Sequence, residues 1–388
     1  IISPNYFRPL AILTFVAELR LAGLAPDLAH MTNLLLHTLN TALVALLARE
    51  ASHQGQDNSS ANRAALLAGV LYGLHPALIE GIAFVSCRFD LLMTTFLLLA
   101  LLADFRLRNR VLRPLLVSLA FLLAALSKEM AVSLVLALPL WQMARLSSSS
   151  RTSDGLLRGL WREGHLPTLV SLLVAGVIYL AIRFHGMGYL LHPGTPWPEG
   201  GDILARLLLV SRSLWEYALL LLFPFPFLSP IHDYPTPIAL NDFMAWTSLG
   251  AVLALLACLV KLVRTRPSSG WMAVAGVLTL VPVLHFIPLG LEGGVIVAER
   301  FLVLPLVFFV LAITPILART SRERRWVTLA IVAWIVIGVA TIQITLPNWR
   351  NSFELWRWAS VRAPASPVPF VNLALEQINR GKIKEGIK

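Results

Sequence analysis

The chain has 388 residues, of which 57% are hydrophobic and 14% are charged, and its mean hydropathy is +0.73. A soluble domain carries about 25% charged residues, so this composition excludes an ordinary soluble protein and predicts an all-α protein that crosses a membrane several times. Cys87 and Cys258 lie in separate apolar segments, and their spacing predicts neither a disulfide framework nor a metal site.

Apolar segments long enough for membrane-spanning helices recur along the chain. Residues 5–26 are bounded by prolines and include Arg8, Glu18 and Arg20, which predicts a helix lying in the membrane interface. Residues 203–226 are apolar but charged in places, and we expect a re-entrant or interfacial helix broken at its prolines. The predicted spans are at about 30–47, 64–80, 90–105, 112–127, 130–145, 166–184, 243–260, 271–289, 301–318 and 326–346.

Basic residues concentrate in one set of alternate loops. Loops rich in lysine and arginine stay in the cytoplasm, so these loops are predicted to be cytoplasmic. This arrangement accounts for the net charge of +11 without nucleic-acid binding. The basic residues are Arg49, Arg63, Arg106, Arg108, Arg110, Arg113, Arg145, Arg151, Arg158, Arg162, Lys261, Arg264, Arg266, Arg319, Arg322, Arg324 and Arg325.

The unusual polar residues are all predicted on the opposite, extracytoplasmic face. Ionisable groups in or near a bilayer are energetically expensive and therefore indicate functional sites. These residues are Tyr6, Arg8, His75, Glu80, Arg88, Asp90, Lys128, Glu129, His232, Asp233, Tyr234, Glu292, Glu299 and Arg300.

This combination of residue types is typical of a site for an anionic, lipid-linked substrate. Arginine and lysine bind phosphate, and a carboxylate can accept the proton of an attacking hydroxyl. No Walker loop or dinucleotide fingerprint occurs, which argues against a soluble nucleotide as the direct substrate. A structural reading stands beside the functional one: Arg88 could form an ion pair with Glu80 or Asp90, and His75 followed by Pro76 is typical of a helix stop.

A series of motifs resembles a known family. They are YFRPLAILTF, HMTNLLLHTLN, HPALIEGIAFVSCRFDLL, LSKEMAV, AERFLVLP, WRNSFELW and NLALEQINRGKIKEG, in this order over nearly the whole chain. The series resembles the transmembrane and tetratricopeptide-repeat glycosyltransferases, relatives of the protein O-mannosyltransferases with the GT-C fold. The resemblance implies a GT-C-like membrane domain over 1–346, an extracytoplasmic linker over 347–366, and the start of a tetratricopeptide repeat region over 367–388.

The resemblance also implies a function and a set of site residues. Such enzymes move a sugar, typically mannose, from a polyprenyl-phosphate carrier to a protein hydroxyl outside the cytoplasm. Their principal acidic residue lies near the start of the first extracytoplasmic loop, and we expect it upstream of Ile1, in a longer protein of which this chain is a fragment. Cys87 and Phe301 depart from the residues that the family often has there. The implied catalytic residues are Glu80, Asp90 and Glu129, and the implied substrate-binding residues are Arg88, Lys128, Arg300, Glu299, Arg8 and His75.

The expected mechanism is an inverting displacement. Arg300 and Lys128 would neutralise the departing phosphate, while Glu80 and Asp90 would orient Arg88 or the sugar hydroxyls. No cofactor is predicted besides the lipid-linked sugar donor, and the sequence leaves a carboxylate-bound divalent ion open. The expected partners are the bilayer, the lipid-linked donor and a protein acceptor bound by the repeats.

Two other readings remain open from the sequence. A GT-C transferase could modify a cell-envelope glycan or lipid instead of protein, and a non-enzymatic scaffold or a transporter is the second alternative. A transporter would place ionisable residues near the bilayer midplane and often shows repeated halves, neither of which the sequence predicts here. The Ala-, Leu- and Arg-rich composition favours a bacterial inner membrane, with the site and the C-terminal tail on the periplasmic face.

Overall fold

The computed structural model describes residues 6–53, 58–148, 159, 163–190, 203–232, 238–284 and 296–381. Within these ranges the regular secondary structure is helical, without strands. The α-helices are α1 (Pro9–Ala22), α2 (Pro26–His53), α3 (Asn58–Gly73), α4 (Ile79–Ala83), α5 (Arg88–Arg106), α6 (Leu112–Ser127), α7 (Leu134–Ser148), α8 (His165–Met187), α9 (Ile203–Leu222), α10 (Phe243–Thr265), α11 (Pro267–Leu280), α12 (Pro305–Glu323), α13 (Arg325–Thr345), α14 (Ser352–Arg362) and α15 (Pro367–Asn379).

The helices confirm an all-α protein that crosses a membrane several times. Seven of the described helices, namely α2, α5, α7, α8, α10, α12 and α13 with their short 3₁₀ extensions, are long and apolar enough to span a bilayer. Each of the ten predicted apolar segments overlaps a helix, and residues 285–289 of the segment 271–289 lie outside the described residues. Three of these helices are shorter than a full span: α3 has 16 residues, α6 has 16 and α11 has 14. At 1.5 Å per residue these cover about 21–24 Å, less than a hydrocarbon core of about 30 Å.

The main helices pack on one another in a closed series. In contact order the series runs α8, α6, α5, α2, α3, α12, α11 and α7, and α7 returns to α8. Outside it, α10 contacts α9 and α11, and α13 contacts α12. Large apolar side chains fill the interior, with Tyr72, Phe121 and Trp141 fully buried, while many leucines and valines on the outer helices stay exposed, as expected for lipid contact.

The break after α3 starts the segment that carries the site. His75 is in an extended conformation before Pro76, because the proline ring disfavours helical geometry in the preceding residue. A short 3₁₀ turn over Pro76–Leu78 then leads into α4, and α3 and the segment Pro76–Ala83 are bent by 53°. The paired segments would make an eighth span if they cross together.

The two segments predicted not to cross the membrane are single helices. Helix α1 has 14 residues, and α9 has 20 residues and ends at Leu222, before Pro224. Neither is among the seven candidate spans. Their interfacial or re-entrant placement stays a prediction.

The C-terminal tail contains two helices that pack together, α14 and α15. The predicted linker 347–366 therefore includes an ordered helix, α14. The boundaries of the three predicted domains stay predictions.

Candidate active site

Three turns at the same end of the helix bundle carry most of the predicted site residues; Arg88 and Asp90 follow at the start of α5, and Arg8 precedes α1. The first, α4 with its flanking 3₁₀ turns, joins the end of α3 to the start of α5. The second begins at Lys128, directly after α6, and continues as a 3₁₀ turn, Glu129–Ser133, into α7. The third is the 3₁₀ turn Glu299–Leu302 before α12. Because these helices begin or end here, the charged residues of distant segments meet at one level.

Glu80 and Arg300 form the first ion pair of the site. The backbone N–H of Arg300 donates to Glu80 Oε2 at 2.9 Å, and the guanidinium of Arg300 contacts Glu80 Oε1. Glu80 is 2% exposed, whereas the Arg300 side chain is 22% exposed. Burial lowers the pKa of Arg300, but the neighbouring acidic groups, Glu80 foremost, together raise the pKa more, so the net value lies above the ordinary one. Arg300 is therefore a permanent cation that is still partly open to solvent.

Asp90 and Lys128 form the second ion pair, which is almost completely buried. Lys128 Nζ lies 2.5 Å from Asp90 Oδ1. The same ammonium lies 4.9 Å from the ring centroid of Phe301, and the Arg300 guanidinium carbon lies 5.1 Å from that centroid. The first two ion pairs therefore meet at one aromatic ring.

Glu129 and Arg8 form the third ion pair. Arg8 donates from Nε to Glu129 Oε2 at 3.0 Å and from NH2 to Oε1 at 2.6 Å, a bidentate geometry. The guanidinium also lies over the rings of Tyr6 and Phe89, at 4.2 Å and 4.9 Å from their centroids. The N-terminal segment before α1 is thereby tied to the α6–α7 turn.

Arg88 does not pair with either of the carboxylates expected from the sequence. Its NH1 lies 2.8 Å from Glu18 Oε2, and its Nε donates to Asn33 Oδ1 at 3.2 Å. The expectation that Glu80 or Asp90 orients Arg88 is therefore wrong, because both have other partners. Arg88 is completely buried and joins α1, α2 and α5, so this geometry favours a structural role over substrate contact.

Glu299 lies beside His232, a residue of a different segment of the chain. It is 1% exposed, and its Oε1 accepts from the backbone N–H of Ser229 at 2.6 Å. His232 Nε2 lies 3.7 Å from the same oxygen, and His232 Nδ1 contacts Glu216 of α9. Burial raises the pKa of Glu299 to about 7. Burial lowers the pKa of His232, but the hydrogen bond to Glu216 and the nearby Glu299 carboxylate raise it to about 10.

His75 has both ring nitrogens occupied by the backbone. Nδ1 accepts from the N–H of Ala77 at 3.3 Å, and Nε2 lies 3.1 Å from the carbonyl oxygen of Leu221. The residue is 3% exposed and its ring lies against Trp334. These contacts favour the helix-stop reading over substrate binding.

A second polar cluster lies at the other end of the bundle, where the sequence predicts only basic loops. Asp104 is fully buried and accepts from Gln142 Nε2 at 2.9 Å and from Arg145 NH1 at 3.1 Å. His165 Nδ1 lies 3.6 Å from the same carboxylate. Arg145 also donates to the backbone carbonyls of Asp104 and Phe105 near the end of α5.

Several partners of the site residues are absent from the sequence prediction: Glu18, Asn33, Glu216 and the ring of Phe301. Glu18 and Glu216 could have been singled out as carboxylates in apolar helices, but nothing local indicates their partners. Asp233, Tyr234 and Glu292 lie outside the described residues, as do Arg151, Arg158 and Arg162. In the described part of the chain, no group of three or more His, Cys, Asp or Glu side chains is placed to hold a metal ion.

Comparison with known proteins shows similarity to enzymes of one kind. Human protein O-mannosyl-transferase TMTC4 is 25% identical over 429 aligned positions, which cover 100% of this chain and 57% of the human protein. Mouse protein O-mannosyl-transferase TMTC4 is also 25% identical, over 432 positions with the same coverage. Drosophila melanogaster protein O-mannosyl-transferase Tmtc1 is 30% identical over 211 positions, 53% of this chain and 24% of the fly protein.

The chain thus spans little more than half the length of the TMTC4 relatives, and a smaller part of Tmtc1. No protein-family model matches the chain, and no solved structure matches it.

Proposed function

We propose that this chain is the membrane part of a glycosyltransferase that moves a sugar, mannose by similarity, from a polyprenyl-phosphate carrier to serine or threonine hydroxyls of protein. The reaction would take place at the end of the bundle that holds the three ion pairs, on the extracytoplasmic side. The supporting observation is that two cation–carboxylate pairs, Arg300 with Glu80 and Lys128 with Asp90, meet at this end of an apolar bundle. The chain around them is similar over its whole length to enzymes named protein O-mannosyl-transferases.

Arg300 and Lys128 are the groups we propose for the donor phosphate. In the displacement, the acceptor oxygen forms a bond to the anomeric carbon while the bond from that carbon to the phosphate oxygen breaks. The electron pair stays on the departing polyprenyl phosphate, so negative charge builds up there. Cations held in place before the reaction stabilise such charge without reorganisation. The partly exposed guanidinium of Arg300 is the better placed of the two to contact the phosphate directly.

Glu80 and Asp90 act in this proposal as positioning residues. Each is almost fully buried and each accepts hydrogen bonds from a cation. A carboxylate stabilised in this way is a poor base, so we do not assign the acceptor proton to either of them. Glu129 is paired in the same way with Arg8, but at 32% it is the most exposed carboxylate of the three pairs and therefore the most accessible to an acceptor hydroxyl.

The test is sugar transfer in membranes that contain the protein, with radiolabelled polyprenyl-phosphate-mannose as donor. Wild type is compared with Arg300→Ala and Glu80→Gln at equal amounts of folded protein. Arg319→Ala is the matched control, because it removes an arginine that is 73% exposed and whose partner in the described residues is Glu323 of its own helix. We expect label on protein with wild type and the control, and a loss of about 10²-fold or more in Arg300→Ala.

The outcomes test the proposed activity and the proposed site separately. Transfer that survives both site variants would keep the enzyme and discard this site. Label appearing on a lipid or glycan instead of protein would support the alternative acceptor. Absence of transfer from polyprenyl-phosphate-mannose, with wild-type protein present and folded, would contradict the proposed activity and favour the scaffold reading.

A further inference from the structure

Phe301 contacts both cations of the proposed phosphate site. Its ring centroid is 4.9 Å from Lys128 Nζ and 5.1 Å from the guanidinium carbon of Arg300. The side chain is 5% exposed, so both contacts are largely shielded from water. Both distances are within the range of about 6 Å in which an aromatic ring attracts a cation.

The ring is held by a turn that is anchored on both sides. Before it, Glu299 accepts from the N–H of Ser229, and the backbone N–H of Arg300 donates to Glu80. After it, the hydroxyl of Tyr72 donates to the carbonyl oxygen of Val303 at 3.1 Å. A ring that is placed by the backbone on both sides can determine where its neighbours lie.

An aromatic ring differs from a carboxylate in what it does to a neighbouring cation. Two cations brought close together repel each other, and a carboxylate between them would reduce that repulsion by cancelling their charge. The face of a ring attracts cations through its quadrupole and carries no net charge. Because Lys128 and Arg300 already have carboxylate partners, Asp90 and Glu80, the ring adds an attraction to both cations without adding a further negative charge that would repel a bound anion.

We propose that Phe301 is a positioning residue that holds Lys128 and Arg300 together, so that both act on the phosphate of the lipid-linked donor. The inference rests on the proposed function, since it deepens the role of the same site. The ring contacts the cations and not the reacting atoms. Its loss is therefore expected to weaken binding of the phosphate and of the transition state together.

The test compares side chains at position 301 that keep the shape of the ring but differ in the charge distribution on its face, and one side chain that lacks the ring. Pentafluorophenylalanine incorporated at 301 keeps the shape of the side chain but reverses the quadrupole of the ring, and Phe301→Tyr keeps the attractive face. Phe301→Leu removes the ring. Phe121→Leu is the matched control, because Phe121 is a fully buried phenylalanine of α6 in the hydrophobic core.

Two readouts are measured on detergent-purified protein that elutes as a single species. One is equilibrium binding of radiolabelled polyprenyl phosphate without sugar, and the other is the KM for polyprenyl-phosphate-mannose in transfer. We expect the pentafluoro and Leu variants to bind polyprenyl phosphate about tenfold more weakly and to show a similarly raised KM. Phe301→Tyr and Phe121→Leu are expected to remain near wild type in both.

The outcomes distinguish this inference from the proposed function. Equal binding by wild type and the pentafluoro variant would overturn the role of the ring even if sugar transfer is intact. Tight binding of polyprenyl phosphate that depends on the ring, without sugar transfer, would support the ring's role and contradict the transferase. A wild-type protein that binds no polyprenyl phosphate would overturn the inference.

Discussion

The two ends of helix α5 each bury a carboxylate beside a basic residue, yet they use their cations differently. At its start, Asp90 pairs with Lys128, whose ammonium also faces an aromatic ring. At its end, Asp104 pairs with Arg145, whose guanidinium also donates to the carbonyl oxygens of residues 104 and 105. The last carbonyls of a helix lack partners within it, so Arg145 completes a helix terminus.

This difference in what the cations contact indicates a structural role for the Asp104 cluster and a candidate substrate site at the start of α5. At the Asp104 end, Arg113 likewise donates to the backbone carbonyls of Glu163 and Gly164, so its donors are used to join helix ends. At the other end, Lys128 and Arg300 donate to carboxylates and, within the described part of the chain, not to backbone carbonyls, and the guanidinium of Arg300 remains partly exposed. Ring contacts occur at both ends, since Arg145 lies over Phe105, so they do not distinguish the two. Cations that saturate backbone groups hold the fold together, whereas cations balanced by carboxylates can still receive an anion.

The largest expected effect is on stability at the Asp104 end. Asp104→Asn leaves Arg145 buried without a charged partner, which should lower the free energy of unfolding by about 3 kcal/mol. This loss of stability is measured as a decrease in the apparent melting temperature of the protein in detergent. The double variant Asp104→Asn with Arg145→Gln should recover part of the loss, and transfer per folded molecule should stay near wild type in both. Loss of specific transfer activity at unchanged melting temperature would place function at this end.

At the Asp90 end of α5, single and double variants of the Asp90–Lys128 pair should separate effects on stability from effects on activity. Lys128→Gln leaves Asp90 unpaired and should lower both the melting temperature and the transfer rate. Adding Asp90→Asn should recover stability, because no unpaired charge remains buried. Transfer should stay about 10²-fold below wild type, since the cation is gone. If the double variant regained full transfer, the pair would be structural like that of Asp104.

A smaller effect is expected from pH at the His232 cluster. The pKa of His232 is raised from 6.5 to about 10, so its contribution to stability is complete below about pH 6.5 and is lost as the pH rises through about 10. The pKa of Glu299 is raised to about 7, so its contribution is also lost with rising pH, between about 4.5 and 7. Both titrations therefore lower the stability of the folded state as the pH rises.

We therefore expect the melting temperature of the wild type to fall from pH 7 to pH 10, and to fall less in His232→Gln. The loss should be on the order of a few kcal/mol or less. Parallel pH profiles for wild type and variant would contradict the assigned charge on His232. The Arg319→Ala control should show the wild-type profile.

The smallest effect is expected at the exposed pair Arg319 and Glu323. Both side chains are mostly exposed, and such pairs contribute about 0–1 kcal/mol because water and salt screen them. Arg319→Ala should change the free energy of unfolding by less than about 0.5 kcal/mol. A larger decrease in the free energy of unfolding would mean that this exposed pair stabilises the protein more than a solvent-screened pair is expected to.

The sequence alone determined the helical architecture, because the length and polarity of an apolar segment are local properties. All ten predicted segments overlap helices of the described residues, and α14 is the one α-helix within the predicted linker. The sequence also singled out most charged residues of the site, since an ionisable group inside apolar sequence is conspicuous wherever it folds. Three of the apolar helices are individually shorter than a full span, and α3 reaches that length only together with the segment after its break at His75–Pro76.

Which charges pair with each other depends on the tertiary structure. Arg88 and Asp90 are two residues apart on one helix, and residues at that spacing point to different sides. Arg88 therefore meets Glu18 on α1, while Asp90 meets Lys128 after α6. Glu80 reaches Arg300 across 220 positions of sequence, and a single phenylalanine ring joins the two cations. Such partners depend on which helix ends the packing brings to one level, and no local pattern contains that information.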